Sequence, residues 1–69
     1  MPLTMLEAGR ESIIKRISGK NNIRRFLANL GLTEGGKVKV VMSVHGNIIA
    51  EIKGSRIAVS SEMARRILV

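Results

Sequence analysis

The side chains able to hold a metal ion or move a proton are few in this chain: one histidine, His45, and five glutamates, Glu7, Glu11, Glu34, Glu51 and Glu62. There is no cysteine, which removes thiolate ligation, disulfides and a thiol nucleophile together. A dedicated metal centre gathers several His, Cys or carboxylate ligands. His45 stands beside Gly46-Asn47 in a turn-forming context, with only Glu51 in reach across a hairpin. It reads as an exposed turn histidine, and no metal or cofactor site is expected. A Ser–His–Asp arrangement cannot be assembled without aspartate. No spacing singles out an acid/base pair from Glu7 and Glu11 or from Glu51 and Glu62. Gly9, Gly31, Gly35, Gly36, Gly46 and Gly54 are spread as turn residues, and no Gly-x-x-x-x-Gly-Lys-Ser/Thr loop is present to cradle a phosphate. This inventory describes a binding module rather than an enzyme.

Charge narrows what such a module binds. Lys and Arg number 12 against 5 acidic residues, a formal net charge of +7. The balance suits nucleic acid, an anionic membrane face or an acidic protein surface, and it also keeps a small protein soluble. Lys15, Arg16, Lys20, Arg24 and Arg25 can form a basic stripe around a helix start, joined by Lys37 and Lys39. Backbone-only phosphate binding by that stripe would be weak and salt-dependent. Single-strand binders add aromatic stacking platforms, and Phe26 is the only aromatic residue. Grooves for proline-rich peptides need aromatics as well. Nucleic acid binding is therefore the alternative reading, not the first. No window approaches ~18 consecutive apolar residues, and Met1–Glu7 lacks the basic start and long apolar run of a signal peptide. The expectation is a cytoplasmic chain that meets a membrane only through a partner.

The elements that must position these residues follow from periodicity. The 69 residues leave room for one domain, 1–69. Leu3 and Leu6 lead into a turn at Glu7-Ala8-Gly9-Arg10. Ser12–Ile17 reads as a strand whose alternation breaks between Ile14 and Ile17, so a bulge is expected near Lys15-Arg16. Ile23, Phe26, Leu27 and Leu30 fall at i, i+3, i+4 and i+7 and predict a helix over Ile23–Leu30 with one buried stripe. Asn21 or Asn22 caps its start and Gly31 stops it. Arg24, Arg25 and Asn29 take the solvated face.

Thr33-Glu34-Gly35-Gly36 is a tight turn with Gly35 at the place where a type II turn needs a positive φ. Lys37–Val44 alternates, with Val38, Val40, Met42 and Val44 on one face. His45-Gly46-Asn47 connects it to Ile48–Ile52, where Ile48, Ala50 and Ile52 share a face. Lys53-Gly54 turns into Ser55–Val59, with Ile57 and Val59 inward. Ser60 or Ser61 caps a helical turn at Glu62–Arg66, and Ile67-Leu68-Val69 pairs as a last strand. Short strands and close turns on so short a chain predict a mainly β fold that curls into a small barrel and so removes its exposed edges.

The motifs then resemble the FeoA family of ferrous iron transport accessory proteins. Leu3-x-x-Leu6-x-x-Gly9 carries the match at the start. The run Arg25-Phe26-Leu27-Ala28-Asn29-Leu30-Gly31-Leu32-Thr33-Glu34-Gly35 is its most specific part. Gly54-Ser55-Arg56-Ile57-Ala58-Val59, Ala64 and Ile67-Leu68-Val69 complete it. Glu34 stands where such proteins often carry proline, a change that costs turn rigidity rather than the turn. The resemblance implies an SH3-like barrel of five or so strands with the helix in a connecting loop. It implies a partner as well, the cytosolic part of a FeoB-type transporter with its G domain.

A similar barrel occurs as the C-terminal domain of metal-dependent repressors, which makes a metal-responsive regulatory domain a further alternative. For the contact with the transporter the helix and its following turn are the candidates: Arg24, Arg25, Leu32, Glu34 and Lys37. Leu32 has two readings, an apolar contact just beyond the helix stop or a core residue. Arg24 and Arg25 are open to a plainer reading too, as a solvated face. A homodimer through the Ile67-Leu68-Val69 tail or an open barrel edge is compatible with the sequence.

Overall fold

The computed structural model describes residues 1–69. After a 3-10 turn at Leu3–Met5 come β1 (Glu11–Ile13), β2 (Arg16–Ile17), α1 (Asn21–Asn29), β3 (Lys37–Val44), β4 (Asn47–Ile52), β5 (Ser55–Val59), α2 (Ser61–Ala64) and β6 (Ile67–Leu68). β3 is the longest strand and organises the rest. The four-stranded antiparallel sheet has the order β1-β3-β4-β5, and β2 pairs with β6 in a second, two-stranded sheet. The two hairpins are set by their turns. His45 and Gly46 have φ of 53° and 81°, and Lys53 and Gly54 have 50° and 81°. Two successive positive-φ residues give the type I′ geometry that matches the twist of the flanking strands.

The expected strand Ser12–Ile17 is instead two strands in two sheets. Ile14 and Ile17 are both buried, at 1% and 3% exposure. Three residues apart on one period-two strand they would face opposite sides. The chain resolves this by turning a corner between them. Ile14 N–H donates to Gly36 O at 2.8 Å and Gly35 N–H donates to Ile14 O at 2.8 Å. Lys15 N–H then crosses to Leu68 O at 2.8 Å in the other sheet. One segment thus serves both sheets and joins them around one core.

A second departure lies in β3. The register shifts between Val40 and Met42, where Val40 pairs with Ala50 and Met42 with Ile49. This bulge turns Met42 and Val44 outward, 53% and 50% exposed, rather than along the buried row of Val38 and Val40. The core itself is wholly apolar: 15 residues are buried and none of them is polar or charged. Leu3, Leu27, Leu32, Ile48, Ala50, Ala64 and Ile67 expose nothing.

α1 begins two residues earlier than its apolar stripe. Lys20 occupies the N-cap with no side-chain bond, so neither asparagine caps the helix. Asn22 Oδ1 accepts only from the next amide, Ile23 N–H, at 3.0 Å. The stripe is rotated as well. Leu27 is fully buried and Ile23 and Leu30 pack against the core, whereas Phe26 is 51% exposed on the flank. Gly31 stops the helix with φ of 96°. Ser60 caps α2, its Oγ accepting from Met63 N–H at 3.3 Å. The tail Ile67–Leu68 is used within the chain, paired to β2, with Ile67 and Val69 buried.

The His45-Gly46 turn packs against α2. A Cβ added at Gly46 would lie 3.0 Å from Ser61 Cβ, at a φ of 81° that L residues rarely adopt. Gly46→Ala is expected to destabilise the fold by about 1–3 kcal/mol, read as a lower midpoint in urea unfolding.

Candidate functional site

Ile17 is the last residue of β2, and its backbone lies on the side of that strand away from β6. The next amide, Ser18 N–H, donates to Arg66 O at 2.7 Å, so by alternation Ile17 N–H and C=O turn outward. A strand edge of this kind is open to pairing unless something covers it. Two side chains do so here. Glu34 Oε2 accepts from Ile17 N–H at 3.0 Å, and Arg24 Nη1 donates to Ile17 O at 3.1 Å. The circuit closes because Arg24 Nη2 donates to Glu34 Oε1 at 3.0 Å. The Arg24–Glu34 pair thus stands in for a neighbouring strand at one residue.

Each member is placed by its own element. Arg24 projects from the first half of α1, on the flank opposite Phe26. Glu34 sits in the Thr33–Gly36 turn, closed by Gly36 N–H donating to Thr33 O at 3.0 Å, with Gly35 at φ of 88°. Electrostatics favour the ionised Glu34. The bond from Ile17 N–H holds its carboxyl below the ordinary value of 4.5, helped by the charges of Arg24 and Arg16 and opposed by partial desolvation. A folded-state pKa below the unfolded one adds stability above the unfolded value, and this is lost as pH falls through the folded one. The stability difference between the natural chain and Glu34→Gln is therefore expected to shrink on acidification below about 4.5, measured by urea midpoints across pH.

Beside this pair lies an open groove of about 400 Å³ between α1 and β2, lined by Ile17, Arg24, Arg25, Ala28, Leu32, Thr33 and Glu34. Four of the five candidate contact residues, Arg24, Arg25, Leu32 and Glu34, meet here. Lys37 does not; it is exposed at the start of β3, opposite Ile13. Leu32 lies behind the groove lining and exposes no surface, so of its two readings the core one describes its position. Its amide donates to Leu27 O at 2.9 Å, which brings the chain back under α1 just after the helix stop. Leu32 supports the site from beneath.

Ile17 and Ala28 are not contact candidates by sequence, and Arg16 enters there only as a member of the basic stripe. The signal for Ile17 was present in the broken alternation, which marks a strand end. Its pairing with residues 24 and 34 needs the three-dimensional fold.

The other chemistry considered is dispersed. Glu51 pairs with Lys39, at the end of the β3–β4 hairpin remote from His45, and its Oε1 lies 3.5 Å from Arg56 Nε. Glu51 is thus out of reach of His45, contrary to the sequence expectation. No group of three or more His, Cys, Asp or Glu side chains converges. No helix is long and apolar enough to cross a membrane. Across the outer face of the main sheet, Glu11, Lys39, Glu51 and Arg56 fall in one register row of alternating charge.

Comparison with known proteins agrees with this architecture. The profile of the FeoA domain matches residues 1–69. A protein of Methanocaldococcus jannaschii named as an Fe(2+) transport protein A is 34% identical over 68 residues, spanning 99% of this chain and 83% of that one. The crystal structure of an iron uptake regulatory protein, FeoA, superposes with a TM-score of 0.88 at 35% identity, over 96% of this chain and 88% of that one. The zinc complex of Stenotrophomonas maltophilia FeoA, described as a procaryotic SH3 domain protein, gives a TM-score of 0.81 at 20% identity, over 99% and 87% of the two chains. A manganese-dependent transcriptional repressor shares the fold alone, with a TM-score of 0.83 at 21% identity over 97% of this chain and 39% of that one. With an SH3-like barrel, the expected motifs in order and a family match along its whole length, this chain belongs to the FeoA family.

Proposed function

We propose that residues 1–69, as one domain, act as a cytoplasmic accessory protein of ferrous iron uptake. The domain docks on the cytosolic part of a FeoB-type transporter and favours one of its states. The observation that supports this reading most is the α1–turn surface. It gathers Arg24, Arg25 and Glu34 around one groove, on a chain with a net charge of +7. Family membership supplies the transport context. No covalent step is assigned to this chain; docking changes a partner only to the extent that its affinity differs between the partner's states.

The test is an amide chemical-shift titration of the labelled protein with the cytosolic domain of its own transporter. Shifts confined to α1, the Thr33–Gly36 turn and Ile17 are the expected result. Shifts centred on the outer sheet face, at Met42, Ile49 and Ala58, would place the contact elsewhere, and no shift at all would remove the docking reading.

A further inference from the structure

The Arg24–Glu34 pair occupies positions that an incoming chain would otherwise take. Ile17 offers one outward N–H and one outward C=O, the donor–acceptor pair that an extended peptide matches with its own backbone. At present the donor is satisfied by a carboxylate and the acceptor by a guanidinium, both from side chains well exposed to solvent, at 39% and 44%. An exposed ion pair of this kind is weakly held and exchanges readily for other partners. Around it the groove is basic: Arg24 and Arg25 line it, Arg16 is close enough to act on Glu34, and Glu34 is the only acidic group among the lining residues. Of its apolar lining residues Ala28 is exposed, whereas Ile17 and Leu32 are buried.

We propose that this groove docks an extended, acidic peptide segment of a partner protein, with Glu34 as a built-in placeholder that the segment displaces. The segment's backbone pairs with Ile17 once Arg24 Nη1 swings off Ile17 O, and the segment's carboxylate takes the place of Glu34 on the Arg24 guanidinium, with Arg25 beside it. A peptide fits this edge better than a polyphosphate chain, because the site needs an acceptor and a donor side by side and a phosphodiester backbone has no N–H to offer. The proposal rests on the docking function proposed above, and it names the chemistry of the segment that the docking surface receives.

The test uses the full chain and a synthetic peptide alternating valine and glutamate, with the same peptide bearing glutamine for glutamate as its control. Binding is read by amide shifts at Ile17 and Gly35 and by calorimetry. The acidic peptide is expected to shift these amides and to bind about tenfold more tightly than its glutamine counterpart. Glu34→Gln keeps an oxygen that can accept from Ile17 N–H but removes the charge that ties it to Arg24, and is expected to tighten binding by about three- to tenfold, because more of the protein is then open to the segment. The Arg25 side chain makes no hydrogen bond or ion pair within the protein, so Arg25→Gln is expected to weaken binding with an unchanged melting temperature.

Weaker peptide binding by a fully folded Glu34→Gln protein would overturn the placeholder role. Equal shifts at Ile17 from inorganic phosphate or a thymidine oligonucleotide would overturn the peptide assignment in favour of a general anion site. If the peptide fails while the transporter domain binds, this inference falls and the docking function stands. If the peptide binds while the transporter domain does not, the groove stands and the transporter reading falls.

Discussion

Leu32→Asp is expected to leave the chain without a cooperative unfolding transition. Leu32 is fully buried in a core that contains no polar side chain, so a carboxylate there meets no donor. Leu→Ala at such a position costs about 2–5 kcal/mol through lost transfer energy and the cavity left behind. A buried, unpaired carboxylate adds a desolvation penalty of several kcal/mol more, or stays protonated at a similar cost. Domains have about 5–15 kcal/mol of net stability, and one of this size stands near the lower end. The penalty exceeds what is available. Circular dichroism and a urea titration check the outcome, with Leu32→Ala as the milder companion that still folds. A folded Leu32→Asp protein would mean that Leu32 reaches solvent and can serve as a direct contact after all.

The second large effect separates two neighbours on α1. Periodicity alone gives Phe26 and Leu27 equal standing on one stripe, yet Phe26 is 51% exposed and Leu27 not at all. Leu27→Ala is expected to cost about 2–5 kcal/mol, which in a domain of this length corresponds to a drop of roughly 15–35 °C in Tm. Phe26→Ala is expected to cost under about 1 kcal/mol. The consequence reaches the groove, because Leu27 fastens the helix that carries Arg24 and Arg25. Leu27→Ala should therefore broaden the amide signals of Ile17 and Gly35, whereas Phe26→Ala should leave them unchanged. Equal losses at the two positions would contradict the observed rotation of the helix.

The same two residues show what could be read from the sequence and what could not. The existence of α1 and its stop at Gly31 follow from spacing and backbone chemistry. The rotation of the helix does not, because a four-residue stripe fixes a face only to within about one residue spacing, and the shape of the barrel beneath decides the rest. Strands after Gly36 were legible to the residue at Lys37–Val44 and Ser55–Val59, since alternation and glycine turns agree there. The bulge at Val40–Met42 was hidden, because Val41 and Met42 are both apolar and leave the phase of the alternation ambiguous.

At the corner after Ile14 the broken phase was visible, but a bulge and a change of sheet look alike in one dimension. The groove was half legible: Arg24, Arg25 and Glu34 were named from their place around the helix and turn. Their closure around Ile17 depends on contacts 7 to 17 residues apart in the chain, which no local pattern encodes. Glu34, standing where the resemblance implies proline, is the residue on which the local pattern and the tertiary contact diverge. The turn survives without proline, and the carboxylate gains a partner.

The central claim is that this barrel recognises the cytosolic part of a FeoB-type transporter in a state-dependent way. Calorimetric titration against the cytosolic domain of its own transporter tests this most directly, run with GDP, with a non-hydrolysable GTP analogue and without nucleotide, at near-physiological salt. The account predicts binding in at least one condition with a Kd that differs among the three, since only differential affinity can bias the partner. Absence of binding in every condition, together with salt-sensitive binding to nucleic acid in the same buffer, would contradict it.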